Sequence, residues 1–323
     1  MPRFGSNEAD LPDGVWQLRP KANAYIWALQ ALYLVFRRGV DVIFCGHMNA
    51  APFASFLSRI SGKPLWIQAH GIEAWEDRGP LFRKALSAAR LITAVSRHTR
   101  RRLLSWTDVN PERIRVLPNT FDPSFVEISA DPALARQLGI DGKKVILTVG
   151  RLSSQEKYKG HDRVIQAVPK IREKHPDVAY VIVGTGDDQI RLEALARDVG
   201  VSDIVIFAGP VSDHVLKDYF ALADVFAMPS TGEGFGIVFV EAAASGLPVI
   251  GGNRDGSVDS LADGAIGCLV DPENNDALVK SISIIIDRGK SSGPSKANRF
   301  RFRNFSAHLS NILDELTVRS NDE

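Results

Sequence analysis

Ten apolar runs of three to six residues, most of them rich in Val and Ile, recur along the chain with a helical stretch or a Gly- and Pro-containing break between them. Short runs of that kind read as strands buried on both faces. Their alternation with longer periodic segments predicts parallel sheets covered by helices. The first four runs are residues 41–45, 64–69, 91–95 and 114–117, with a helix expected at 52–60 and a strong one ahead at 24–38. The other six are 145–149, 179–183, 204–207, 224–228, 248–250 and 267–270. Between the two sets, residues 118–141 contain Pro118, Pro123, Pro132 and Gly139 and have little strand character, so a boundary is expected near Leu138. The expectation is an α/β chain of two doubly wound domains, 1–138 and 139–323, and 323 residues suffice for two such cores. A polar linker at 289–296 precedes a last helix at about 304–316, whose apolar positions need a surface, expected on the first domain.

In doubly wound sheets ligands bind beyond the carboxyl ends of the strands. Gly150-Arg151, Gly184-Thr185-Gly186 and Pro229 to Glu233 all fall there. The densest of these motifs is Gly232-Glu233-Gly234-Phe235-Gly236, which runs directly into Ile237-Val238-Phe239-Val240-Glu241. Glycines let backbone approach a ligand, and a helix start offers unpaired N–H groups and the positive end of a dipole, which suits phosphate. Glu233 is expected at the mouth and Glu241 deeper, on a helix with almost no polar face, where an unpaired carboxylate is costly and implies a partner. A diphosphate flanked by hydroxyl-bearing groups describes a nucleotide sugar better than a simple nucleotide.

Composition narrows the partners. Residues 1–140 carry 18 Lys and Arg against 12 Asp and Glu, a balance of +6, and the remainder carry 21 against 26, a balance of −5. Much of the excess lies between Arg83 and Arg102, so peripheral contact of the first domain with an anionic membrane is expected. No apolar run approaches the ~20 residues of a membrane span. No secretory signal is read at the start, and Cys45 and Cys268 are expected to be reduced core residues, which together place the chain in the cytoplasm. The near-neutral total and the lack of a recognition motif argue against nucleic acid.

The ordered set of motifs resembles family 4 of the retaining glycosyltransferases, which have the two-domain GT-B fold, over about residues 40–313. Its strongest element is the pair Glu233 and Glu241 with seven residues between them. Also similar are Gly150-Arg151-Leu152, Lys159-Gly160-His161, Val183-Gly184-Thr185-Gly186, Leu269-Val270-Asp271-Pro272 and, in the first half, His70-Gly71-Ile72-Glu73. The resemblance implies two Rossmann-like domains facing a cleft, and a hexose moved from a UDP-glucose or GDP-mannose type of donor to a lipid-linked or growing surface glycan. Arg151 and Lys159 would bind the diphosphate, Lys159 rather than Lys157 because it precedes Gly160 as in the family. Glu233 would accept sugar hydroxyls and Glu241 ribose hydroxyls, while the amides of Phe235, Gly236, Ile237 and Val238 cap the phosphates. Gly150, Gly184 and Gly234 would line the donor site. His70 matches the active-site histidine, and His47 and Glu73 are candidates for the acceptor side. No Asp-x-Asp sequence occurs, so neither a metal nor another cofactor is expected. The implied mechanism is a same-face substitution in which the leaving phosphate takes the acceptor proton.

The first half departs from the family pattern, because residues 1–20 show no convincing opening strand and a first βα unit is expected to be missing. An inactive nucleotide-sugar-binding protein is the alternative that this shortening raises. A dinucleotide oxidoreductase is disfavoured: Gln189 stands where the third glycine of its fingerprint belongs, and the strand before Gly184 is not the first of its domain.

Overall fold

The computed structural model describes residues 23–37, 39–126, 128–289 and 296–318. The first sheet and its helices run α1 (Ala24–Val35), β1 (Ile43–Cys45), α2 (Ala51–Ser61), β2 (Leu65–Ala69), α3 (Pro80–Ala88), β3 (Leu91–Ala94), α4 (Arg97–Leu104) and β4 (Ile114–Val116). Then follow α5 (Pro132–Gln137), β5 (Lys144–Val149), α6 (His161–Lys174), β6 (Val178–Val183), α7 (Gln189–Asp198), β7 (Val205–Gly209), α8 (Asp213–Leu222) and β8 (Val225–Met228). The chain continues through α9 (Ile237–Ala244), β9 (Val249–Gly252), α10 (Ser257–Ser260), β10 (Cys268–Val270), α11 (Asn275–Arg288) and α12 (Phe302–Val318). A strand overlaps each of the ten apolar runs, with β5, β6, β7 and β9 extending one or two residues beyond them. Helix boundaries follow local chemistry: the Ser96 hydroxyl accepts the Thr99 N–H at the start of α4, Asn274 does the same for Ala277 in α11, and Gly62 at φ 70° ends α2.

The first sheet has the order β1-β2-β3-β4, with β1 and β2 parallel. Strand β3 is buried throughout, and the Trp66 indole N–H on β2 donates to the Thr93 hydroxyl at 2.9 Å, which satisfies both buried polar groups. The second sheet has the order β10-β9-β8-β5-β6-β7, every pair parallel. Alternate side chains of its central strands enter opposite apolar layers. Val145 and Leu147 of β5 with Ala179, Val181 and Val183 of β6 meet Phe220, Phe226, Phe239 and Val240 on one side. Ile146, Tyr180 and Ile182 meet Val164, Val168 and Ile171 of α6 and Ile282 of α11 on the other. Strand order reverses between β5 and β8, so the crevice of this sheet opens beyond the carboxyl ends of those two strands.

Packing divides the chain into two compact units. One holds the described residues up to Ala69 with Asp77–Thr93 and Trp106–Ile114; the other holds His70–Glu76, Ala94–Ser105 and everything described from Arg115 onward. This division differs from a single break near Leu138. The Pro-rich segment that reads as a linker carries Phe121 and Phe125, both buried in the apolar layer beside Phe220. Helix α12, expected against the first domain, falls in the unit of the second sheet. The weakly patterned residues 1–20, on which the expectation of a missing βα unit rests, lie outside the described residues.

Candidate active site

Four loops of the second unit gather at the strand ends beside the β5–β8 reversal. Gly150 and Arg151 follow β5, Gly184 follows β6, residues 229–236 follow β8 and residues 253–256 follow β9. Two glycines show why bulk is excluded. A Cβ on Gly184, at φ +139°, would stand 1.9 Å from the Gly150 carbonyl oxygen, and one on Gly232 would stand 2.7 Å from the Tyr158 ring.

Lys159 and Glu233, each with a side chain only 12% exposed, form an ion pair of 2.6 Å between Nζ and Oε1. Lys159 ends a short turn, Lys157–Lys159, before Gly160 in the left-handed region, which turns its ammonium inward while Lys157 stays exposed. The second carboxylate of the cluster is Glu156, whose Oε2 lies 3.7 Å from Lys159 Nζ and whose Oε1 pairs with the Arg151 guanidinium. Two cations and two carboxylates are thus brought together; Arg151 is 78% exposed, but Lys159, Glu156 and Glu233 are largely buried, so removal of Lys159 would leave poorly solvated carboxylates. Glu156 does not emerge from the sequence reading. Its only signal there is a position three residues before Lys159, in the turn that Lys159 closes through its N–H to the Glu156 carbonyl.

Helix α9 begins at Gly236, φ 79°, with no side-chain cap, so its first amides remain available to an anion. Phe235 contributes backbone only, since its ring is buried edge-on against Phe300 at 5.6 Å. Ile237 is exposed and Val238 half-buried. The expected partner of Glu241 is not another side chain: its carboxylate has none among the described residues. Burial, reinforced by Asp213 and Asp122, pushes its pKa up to about 7.

Histidine 70 directly follows β2, and its backbone meets the loop after β8: a Cβ on Gly234 would stand 2.0 Å from the His70 carbonyl oxygen. Glu73 is committed locally, because its Oε1 accepts the N–H groups of His70 and Gly71 at 2.6 and 3.2 Å. The Thr99 hydroxyl donates to the Gly234 carbonyl at 3.4 Å and accepts from the Trp75 indole at 3.2 Å, which ties the His70 loop and α4 to the same glycine. His47 belongs to the other compact unit, where its Nδ1 accepts the Asn49 N–H at 3.1 Å and caps a short turn. His161, at the start of α6, is buried; burial, helped by the charge on Lys159, lowers its pKa to about 4 and keeps it neutral. No group of three His, Cys, Asp or Glu side chains that could hold a metal ion occurs among the described residues.

The expected basic surface is partly neutralised from within. Arg83 pairs with Asp77 at 2.8 Å, and Arg97 pairs with Asp259 and Asp263 at 2.7 and 2.6 Å. No helix among the described residues is long and apolar enough to cross a membrane.

Comparison with known proteins agrees in both halves. The family model described as "Glycosyl transferases group 1" matches residues 131–301, and that described as "Glycosyltransferase Family 4" matches residues 4–125. A GDP-mannose-dependent alpha-(1-6)-phosphatidylinositol monomannoside mannosyltransferase of Mycolicibacterium smegmatis is 30% identical over 302 residues, which cover 87% of this chain and 78% of that protein. A D-inositol 3-phosphate glycosyltransferase of Acidothermus cellulolyticus is 34% identical over 214 residues, 63% of this chain and 47% of that protein. Among solved structures, Anabaena HepE in complex with UDP and glucose matches with a TM-score of 0.76 at 23% identity, over 89% of this chain and 81% of that one. The apo form of the lipopolysaccharide outer core galactosyltransferase WaaB gives a TM-score of 0.68 at 19% identity, over 90% and 78% of the two chains. With its two parallel sheets and the motifs at their strand ends, the chain belongs to glycosyltransferase family 4, the group 1 glycosyl transferases of GT-B fold.

Proposed function

We propose that this glycosyltransferase moves a hexose from a nucleoside-diphosphate sugar to a lipid-linked glycan, with retention of configuration and without a metal ion. The observation that carries the reading is the Lys159–Glu233 ion pair at the strand reversal, beside the uncapped start of α9. Glu156 and Glu233 neutralise the two cations from within the protein. A donor supplies the same partners in exchange: its diphosphate takes Arg151, Lys159 and the α9 amides, and its sugar hydroxyls take the Glu233 carboxylate. Glu241, lacking a protein partner, takes the ribose hydroxyls.

In the reaction the bond between the sugar C1 and the phosphate oxygen breaks as the acceptor oxygen bonds C1 from the same face. The acceptor proton passes to the departing phosphate, and the guanidinium and ammonium hold the charge that grows there. No enzymic nucleophile is needed, unlike the paired carboxylates of a retaining glycosidase. His70, at the end of β2 and against Gly234, is assigned to the sugar and acceptor side. GDP-mannose is the favoured donor and a phosphoinositide glycolipid the favoured class of acceptor. That preference rests on the named activity of the mycobacterial relative, which aligns over most of both chains.

Calorimetric titration of the 323-residue chain with GDP-mannose and UDP-glucose, followed by donor consumption in the presence of a membrane lipid extract, tests this reading. The expected result is binding of GDP-mannose and acceptor-dependent release of GDP. Binding without turnover would favour an inactive nucleotide-sugar-binding protein, and no binding to either donor would overturn the donor site itself.

A further inference from the structure

The Lys159–Glu233 contact requires that Glu233, on an irregular loop between β8 and α9, present its carboxylate in one direction. Its main chain is held on both sides by the turn after β9. The Glu233 N–H donates to Asp255 Oδ2 at 2.7 Å, and the Glu233 carbonyl accepts the Gly256 N–H at 2.8 Å. Asp255 is 1% exposed, and its remaining capacity is spent in the same place: Oδ2 accepts the Ser230 hydroxyl at 2.8 Å and Oδ1 the Ser257 N–H at 2.9 Å. Ser230 and Ser257 are fully buried, with their hydroxyls 2.9 Å apart. The turn is sterically closed as well, since a Cβ on Gly256 would stand 2.1 Å from the Gly234 carbonyl oxygen.

Asp255 therefore spends a buried charge on two backbone amides and a hydroxyl, with no cation bonded to it among the described residues. Burying a carboxylate is costly, and an amide such as Asn, with one acceptor oxygen and an NH2 donor in place of the other, could not accept at both positions. Two donors to different oxygens, Glu233 N–H to Oδ2 and Ser257 N–H to Oδ1, are what call for a carboxylate. We infer that Asp255, with Ser230, is the positioning residue that aims Glu233 at the donor sugar, acting through the Glu233 main chain without touching substrate. The inference rests on the donor-site reading above.

A double-mutant cycle on Glu233→Ala and Asp255→Asn tests it, with titration by GDP alone, titration by GDP-mannose, and turnover as readouts. Asp255→Asn is expected to leave GDP affinity within about twofold while lowering sugar-dependent affinity or turnover by about 10- to 100-fold, the range for one charged hydrogen bond. Added to Glu233→Ala it is expected to cost nothing further, because the group it aims is already gone. Ser230→Ala keeps the carboxylate and removes one of its bonds; a smaller loss with the same lack of additivity is expected, and this variant decides the question if Asp255→Asn does not fold. Additive losses, or equal losses for GDP and GDP-mannose, would overturn the positioning role while leaving the donor site standing. Failure of the parent chain to bind any donor would overturn both.

Discussion

Glu241 keeps its proton to about pH 7 because the helix around it is apolar and no side chain among the described residues bonds it. The sign follows from linkage: the folded pKa lies above the ordinary carboxylate value, so the group favours the folded state most below about pH 4.5, and that contribution is lost as pH rises through about 7. Ribose hydroxyls donating to the carboxylate would recover the ionised form. Nucleotide affinity is therefore expected to rise between pH 6 and 8, and Glu241→Gln to abolish that slope and weaken binding about 10-fold at pH 8. Calorimetry across that range checks it, and a flat profile in the parent chain would refute the ribose assignment. The burial of Glu241 was legible from its apolar neighbours. The commitment of Glu73 to the His70 and Gly71 amides was not, because a loop carboxylate takes its bonds from a backbone path that the sequence does not specify.

The loop from Pro229 to Gly236 works as an element because other backbone crowds it. His70 and Gly71 stand against Gly234 on one side and Gly256 on another, so its glycines are required for close approach as well as for turning. Gly234→Ala places a Cβ 2.0 Å from the His70 carbonyl oxygen, and neither backbone can yield without dragging the loop. A loss of at least about 2 kcal/mol in stability is expected, together with loss of donor binding. Thermal unfolding and titration of the purified variant measure both, and an unchanged Tm would show that the loop has room to relax. The run of glycines was visible in the sequence as a turn at a strand end. That Gly234 also admits the His70 segment depends on contacts with residues 163 or more positions earlier, which no local pattern encodes.

At the scale of the whole molecule, the proposed same-face, metal-free transfer predicts the stereochemistry of the product and its response to a chelator. Proton NMR of the product is expected to show the anomeric configuration of the donor, and an inverted product would rule out same-face substitution. Turnover is expected to survive a chelator, since Arg151, Lys159 and the start of α9 offer the diphosphate its positive partners; loss of turnover restored by a divalent cation would overturn that account. The ten strands, the helices between them and the sheet edge at which the motifs gather were determined by the sequence alone. Buried strands and their turns are written in local composition and spacing, and carboxyl-end binding follows from parallel order. The tertiary structure alone decided which charges meet and where the packing divides. Lys159 finds Glu233 across 74 residues because strand order reverses between β5 and β8, and Glu233 finds Asp255 across 22 because β8 and β9 lie side by side, so both pairings depend on how the sheet brings separate loops to one edge.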